Sequence, residues 1–140
     1  MILADSGFWV ALINPRDSWH ARARAAMERL REPFATTWPV LTETTYMLMV
    51  LGTRGRERLR DYFFSGGLEL LDFTRDEAMR MLQLMDRYAE LPMDLADASL
   101  VVAAERLESG RILSTDRRDF ETYRWKNHHP FTNLLLTDER

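Results

Sequence analysis

Segments of this chain that favour strands alternate with segments that favour helices, and this alternation is the strongest constraint on its fold. Strands are predicted over residues 1–5, 33–38, 68–73, 111–115 and 130–136. Helices are predicted over residues 6–13, 18–30, 39–51, 54–64, 74–88 and 94–110. Strands joined through helices pair in parallel, because a crossover returns the chain to the same end of the sheet. The predicted class is therefore α/β, a three-layer α/β/α sandwich with a central, mostly parallel sheet.

Local signals mark several of these helix ends. Thr74 precedes Glu77 by three residues, which is the spacing of a capping box. Asp94 is a predicted N-cap, and Gly52 ends the third helix. A charge-rich turn is predicted after residue 115.

Composition excludes several classes of protein. A length of 140 residues suits one domain, taken as residues 1–140. The chain has no cysteine, which excludes disulfides, thiolate zinc sites and cysteine nucleophiles. No segment approaches the roughly 20 apolar residues of a membrane span, and the apolar start lacks the basic flank of a signal peptide. A cytoplasmic protein without a membrane partner is expected.

Four acidic residues fall at predicted strand ends or helix starts. Asp5 ends the first strand, and Glu43 lies about one turn into the helix after the second strand. Asp97 lies in the first turn of a later helix, and Asp116 follows the strand at 111–115. In open parallel sheets, ligands bind outside the carboxyl ends of the strands. We therefore expect the four carboxylates to converge on one edge of the sheet.

Carboxylates that converge in this way repel one another. At about 4 Å and an effective dielectric constant near 20, each pair costs roughly 4 kcal/mol. Either some of the acids take up protons, or divalent cations neutralise them. Ligand sets made only of oxygen suit Mg²⁺ or Mn²⁺ better than zinc or copper. We therefore interpret Asp5 as a metal ligand.

Each acid also has a local explanation. Asp5 could cap the helix that follows it, and Glu43 could favour the positive end of its own helix. Asp97 occupies a first turn, where acids are common, and Asp116 could be a turn residue, with Asp119 as its alternative. None of these explanations requires all four acids to fall at one edge.

Four segments together resemble the PIN domain, in particular the toxin ribonucleases of VapBC toxin–antitoxin pairs. They are ADSG, TETTYML, MDLADASLVVAAE and ILSTDRRDF. The resemblance covers about residues 1–125 and includes the order and spacing of the four acids. It implies a Mg²⁺- or Mn²⁺-dependent endoribonuclease that hydrolyses RNA with metal-activated water. It also implies a cognate antitoxin protein as partner and a homodimer.

The resemblance also implies roles for individual residues. The catalytic residues it implies are Asp5, Glu43, Asp97 and Asp116, with the metal held by Asp5 and Asp97. The supporting residues are Ser6, Asp94, Thr115 and Asp119.

The last motif departs from the pattern of the family. The family often has threonine two places before its acid, where this chain has Ser114, and Thr115 is adjacent to Asp116. Asp119 therefore competes with Asp116 for the place of the fourth acid.

Arg117 and Arg118 are expected to bind the RNA substrate.

Two alternatives stand beside this interpretation. An aspartyl-nucleophile phosphatase also places aspartate after its first strand. That chemistry needs a second acid two residues later, where this chain has Gly7, and a lysine, of which the chain has only Lys126. A PIN-like module that binds RNA or protein without cutting is the second alternative, although such a module need not retain four mutually repelling acids.

Overall fold

The fold is built around a parallel sheet of five strands. A computed structural model describes residues 1–136 of the chain. Its strands are β1 (Ile2–Ala4), β2 (Phe34–Thr37), β3 (Leu68–Leu71), β4 (Arg111–Leu113), β5 (Arg124–Trp125), β6 (His129–Pro130) and β7 (Thr132–Asn133). The sheet has the order β3-β2-β1-β4-β7 with every pair parallel, while β5 and β6 form a separate antiparallel hairpin.

Helices flank this sheet and complete the sandwich. Within residues 1–136 they are α1 (Ser6–Ile13), α2 (His20–Arg29), α3 (Trp38–Met47), α4 (Thr53–Phe64), α5 (Arg75–Arg87), α6 (Leu95–Leu107) and α7 (Arg117–Thr122). Thr74 and Glu77 form the predicted capping box of α5, and Asp94 caps α6. The predicted α/β class, with a central parallel sheet between helices, is confirmed. Across the described residues, no helix combines the length and apolar character needed to cross a bilayer.

The core lies between the central strand and α6. All three residues of β1 are fully buried. Residues 98–104 of α6 are buried on every side, as expected of a helix that is apolar around its whole circumference. α6 packs against β1, β2, α3 and α5. This packing fixes the end of β1 and the start of α6, the two places that carry Asp5 and Asp97.

The C-terminal part differs from the sequence prediction. The segment after residue 115, which was predicted to be a turn, forms helix α7. Phe120 within α7 and Tyr123 directly after it are buried, although the surrounding sequence is highly charged. The β5–β6 hairpin was not predicted. The strand predicted over 130–136 is reduced to β7, and residues 137–140 of the predicted domain lie outside the described residues. The helix predicted over 39–51 ends at Met47 and continues as a 3₁₀ turn.

Candidate active site

Four helices begin at the carboxyl edge of the sheet, and acids lie at or near their starts. Asp5, Asp94 and Asp116 are the N-caps of α1, α6 and α7, and each accepts a hydrogen bond from a backbone amide of its helix. Glu43 lies on α3, which is capped by Thr37. The positive ends of these helices favour negative charge. Asp5 and Asp116 therefore cap helices, and they also belong to the group of acids that converges at this edge.

Asp5 lies at the centre of this edge and is only 5% exposed. Its Oδ1 accepts a hydrogen bond from the Ser6 amide at 2.7 Å, and its Oδ2 accepts one from the Ser114 hydroxyl at 2.9 Å. Burial, together with the charges of Glu43 and Asp94, nevertheless raises the pKa of Asp5 to about 6. Two hydrogen bonds therefore do not compensate the buried carboxylate. A bound cation would relieve this condition.

Asp97 is the acid most strongly affected by its surroundings. Burial, followed by the charges of Asp5 and Asp94, raises the pKa of Asp97 to about 8. The Tyr123 hydroxyl donates to Asp97 Oδ2 at 3.0 Å and partly opposes this increase. Tyr123 is fully buried, and burial raises its own pKa, so that its hydroxyl stays a donor.

Ser6 connects Glu43 to Asp5. Its hydroxyl donates to Glu43 Oε1 and lies 3.4 Å from Asp5 Oδ1. Burial raises the pKa of Glu43, the Ser6 hydrogen bond lowers it, and the neighbouring Asp94 raises it again. The structure thus places the predicted supporting residues Ser6 and Asp94 beside the acids that they were predicted to support.

Asp119 lies near Asp97 and forms a pair with Asp116. Asp119 is 8% exposed and is one of the charges that raise the pKa of Asp97. Asp116 accepts a hydrogen bond from the Asp119 amide at 3.1 Å, and burial followed by the Asp119 side chain raises its pKa. The two acids form one pair at the start of α7. We call Asp5, Glu43, Asp94, Asp97, Asp116 and Asp119 the acidic edge.

Two contacts of the acidic edge were missed by sequence reasoning. The prediction named Thr115 as a supporting residue, but Ser114 donates to Asp5. The Thr115 side chain lies instead against Gly7, where an added Cβ would come 2.1 Å from Thr115 Oγ1. The signal for Ser114 was its place two residues before Asp116. Tyr123 gave no signal, because it lies outside every acidic motif.

The two arginines predicted to bind substrate are exposed at the start of α7. The Arg118 guanidinium donates to the Leu91 carbonyl at 3.2 Å and to Asp119 Oδ1 at 3.4 Å. Arg117 lines a cleft of about 320 Å³ together with Phe131 and other residues. Arg118 thus offsets part of the negative charge, and the binding of RNA by either arginine stays a prediction.

The Tyr123→Phe variant tests how the acidic edge is supported. Loss of the hydroxyl leaves Asp97 Oδ2 without its donor, so we expect Mn²⁺ to bind about 10-fold more weakly, as is common when a residue that orients a metal ligand is removed. The measurement is Mn²⁺ titration by calorimetry at pH 7.5, with Tyr88→Phe as the control. Tyr88 accepts a hydrogen bond from the Arg124 amide and packs on Tyr123. Equal affinities in the two variants would contradict the role of Tyr123.

The donor atoms of the acidic edge are suited to a hard divalent cation. Among residues 1–136, no three acidic or histidine side chains are arranged as a ready-made metal cluster. Mg²⁺ takes one or two carboxylates directly and keeps several waters, so it does not need such a cluster. Asp5 and Asp97 are two interacting carboxyls with raised pKa values. The residues therefore fit a cation held by two carboxylates and water.

Comparisons with known proteins identify the family of the chain. The model of the PIN domain family matches residues 2–126. The fold is similar to that of VapC20 of Mycobacterium tuberculosis, a toxin that cleaves the sarcin–ricin loop, at 21% identity over 83% of this chain and 90% of that one, with a TM-score of 0.76.

A chain of a toxin–antitoxin complex from Klebsiella pneumoniae is also similar, at 19% identity over 87% of this chain and 92% of that one, with a TM-score of 0.62. No curated protein sequence matches the chain. At these identities the two solved structures show the shared fold, whereas the family match extends over most of the sequence. The chain belongs to the PIN domain family.

Proposed function

We propose that this chain is the toxin of a toxin–antitoxin pair and acts as a metal-dependent endoribonuclease. The observation that carries the proposal is the convergence of buried, mutually repelling acids around Asp5 and Asp97. Membership of the PIN domain family and the likeness to VapC20, which cleaves the sarcin–ricin loop, support an RNA substrate. The likeness to a chain of a toxin–antitoxin complex supports an antitoxin partner.

In the proposed site, Asp5 and Asp97 would hold Mg²⁺ or Mn²⁺, and Glu43, Asp116 and Asp119 would hold water or position the metal. A bound divalent cation would supply an activated water for attack on phosphorus and would neutralise charge on the phosphate oxygens. The acids alone would repel the phosphates of RNA. Metal and substrate are therefore expected to depend on each other at this edge.

The residues of the chain hold the acids in place for this chemistry. The Ser6 amide and the Ser114 hydroxyl fix the two oxygens of Asp5, and Tyr123 fixes one oxygen of Asp97. Glu43 has a raised pKa and a hydrogen bond from Ser6, which suits it to accept a proton from water. We propose that the exposed Arg117 and Arg118 guide the RNA backbone to the site.

Exposed apolar side chains support the protein partners in the proposal. Met49 and Val50, in the turn after α3, are 64% and 82% exposed. Apolar surface of this kind commonly marks a protein interface. We propose that it serves the antitoxin or a second copy of the chain in a homodimer.

The phosphatase alternative gains no support from the geometry. Lys126, the only lysine of the chain, pairs with Glu108 at 2.7 Å. Gly7 occupies the position where such a phosphatase needs its second acid, and the Thr115 side chain leaves no room for a side chain there.

The test is cleavage of structured total RNA by the purified chain, free of antitoxin, in Mg²⁺, in Mn²⁺ and in EDTA. We expect discrete fragments with either metal and intact RNA in EDTA. Intact RNA under all three conditions, from protein that is folded and binds Mn²⁺, would contradict nuclease activity. That result would favour a binding module of the same fold.

A further inference from the structure

An apolar groove adjoins the acidic edge. It lies between α3 and the start of α6, has a volume of about 600 Å³, and is lined chiefly by Trp38, Thr42, Glu43, Tyr46, Asp94 and Leu95. We call it the Trp38 groove. Because Glu43 and Asp94 belong both to its wall and to the acidic edge, a molecule bound at the acids can extend into the groove without leaving the protein surface.

The indole of Trp38 is fixed although it is exposed. Trp38 is 52% exposed, and its indole Nε1 donates to Asp72 Oδ1 at 2.8 Å. The single N–H donor of the indole is therefore already hydrogen-bonded within the protein, and a ligand can contact Trp38 through the faces of its ring. Tyr46 lies about two turns further along α3 and is 75% exposed. Two aromatic side chains thus border the groove, and neither belongs to the hydrophobic core.

We infer that the Trp38 groove receives an unpaired base of the RNA next to the bond that is cut. This inference rests on the proposed function. A phosphodiester at Asp5 and Asp97 is tied through its sugar to a base, and the neighbouring groove offers that base an aromatic face. The carboxylates of Glu43 and Asp94 repel a phosphate there, but they accept hydrogen bonds from the N–H groups at the edge of a base. The groove therefore suits a base rather than the RNA backbone.

A protein partner is the other occupant to be tested. The most exposed aliphatic side chain, Val50, lies outside the groove in the turn after α3. A partner that covered this broad apolar surface would not need a pocket walled by carboxylates. The geometry favours the base, and the experiment includes both.

The experiment measures the binding of fluorescein-labelled hexaadenylate by fluorescence anisotropy in Ca²⁺, a cation that binds carboxylates. A gel verifies that the RNA stays intact during the measurement. Trp38→Leu keeps an apolar side chain without an aromatic face, and Trp38→Phe keeps an aromatic ring. Phe64→Leu is the matched control, because Phe64 is 82% exposed at the end of α4 and does not line the groove. We expect Trp38→Leu to weaken binding about 10-fold, Trp38→Phe at most about threefold, and Phe64→Leu not at all.

A second ligand separates stacking from other contacts. An oligomer of six abasic ribose phosphates should bind more weakly than hexaadenylate, and it should bind equally to the chain with Trp38 and to the Trp38→Leu variant. Thermal unfolding of each variant verifies that it is folded. Should Trp38→Leu fail to fold, Tyr46→Leu takes its place in the same comparison, because Tyr46 lines the groove and is 75% exposed.

Each remaining outcome decides the inference. Equal binding of hexaadenylate by the Trp38→Leu and Phe64→Leu variants, while the unmodified chain cleaves RNA, would overturn the stacking site and leave the proposed function standing. If Trp38→Leu binds RNA as the unmodified chain does but no longer binds an antitoxin that is expressed with it, the groove is a protein-binding site and the inference is overturned. An unmodified chain that neither cuts nor binds RNA would overturn the proposed function and the inference together.

Discussion

The Asp97→Asn variant is expected to lose metal-dependent RNA cleavage by about 10³-fold or more. The amide keeps the size of the side chain and its place on α6 but is a poor ligand for a divalent cation. Metal-ion catalysis contributes several kcal/mol to the stabilisation of the transition state, and about 1.4 kcal/mol corresponds to a tenfold change in rate. The measurement is the initial rate of fragment formation from total RNA in Mn²⁺.

The control is Asp61→Asn, which makes the same substitution at an exposed acid of α4 outside the acidic edge. It should cleave at the rate of the unmodified chain. The same assay on Asp116→Asn and Asp119→Asn assigns the fourth acid to the variant that loses more activity. Cleavage by Asp97→Asn within threefold of the Asp61→Asn rate would contradict the role of Asp97.

Metal-free protein is expected to lose stability as the pH rises from about 4 to 8, and Asp97→Asn should remove most of that loss. The pKa of Asp97 is about 8 in the folded chain, against an ordinary value of 3.8. The folded state therefore binds this proton more tightly than the unfolded state. The resulting stability is fully present below pH 3.8 and is lost as the pH rises through 8. The pKa of Asp5, about 6, acts in the same direction over a narrower range.

Thermal unfolding in EDTA at pH 5 and pH 8 measures this effect. At pH 8 the free energy of unfolding of Asp97→Asn should exceed that of the unmodified chain by roughly 3 kcal/mol, and the difference should shrink at pH 5. Mn²⁺ binds the ionised carboxylates, so it should stabilise the unmodified chain at pH 8 and the variant much less. If the free energy of unfolding of the two proteins depends on pH in the same way in EDTA, the pKa of Asp97 is not raised in the folded chain.

The sequence predicts the sheet and most helices because their signals are local. Buried strands separated by capped helices fix a parallel sheet, and parallel pairing brings the strand ends that carry Asp5 and Asp116 to one edge. α7 was missed because it has only six residues and a charged sequence. The two-residue strands β5 and β6 were missed because pairing with a neighbour defines them, rather than their own composition.

The hydrogen bonds of the site are harder to predict than its acids. Ser114 and Asp5 are 109 residues apart, and Tyr123 and Asp97 are 26 apart. Which of the two hydroxyls at 114 and 115 faces Asp5 depends on how β4 pairs with β1 and turns into α7. That detail is set by tertiary packing, so sequence spacing points to the segment and not to the residue.

The contact between Ser114 and Asp5 also has a consequence for the synthesis of the chain. A nascent chain that ends before β4 already contains Asp5, Glu43 and Asp97, but β1 then lacks its neighbour on one side, and Asp5 lacks one of its two donors. The acids from the first part of the chain therefore reach their final arrangement only after β4 and Ser114 have been synthesised.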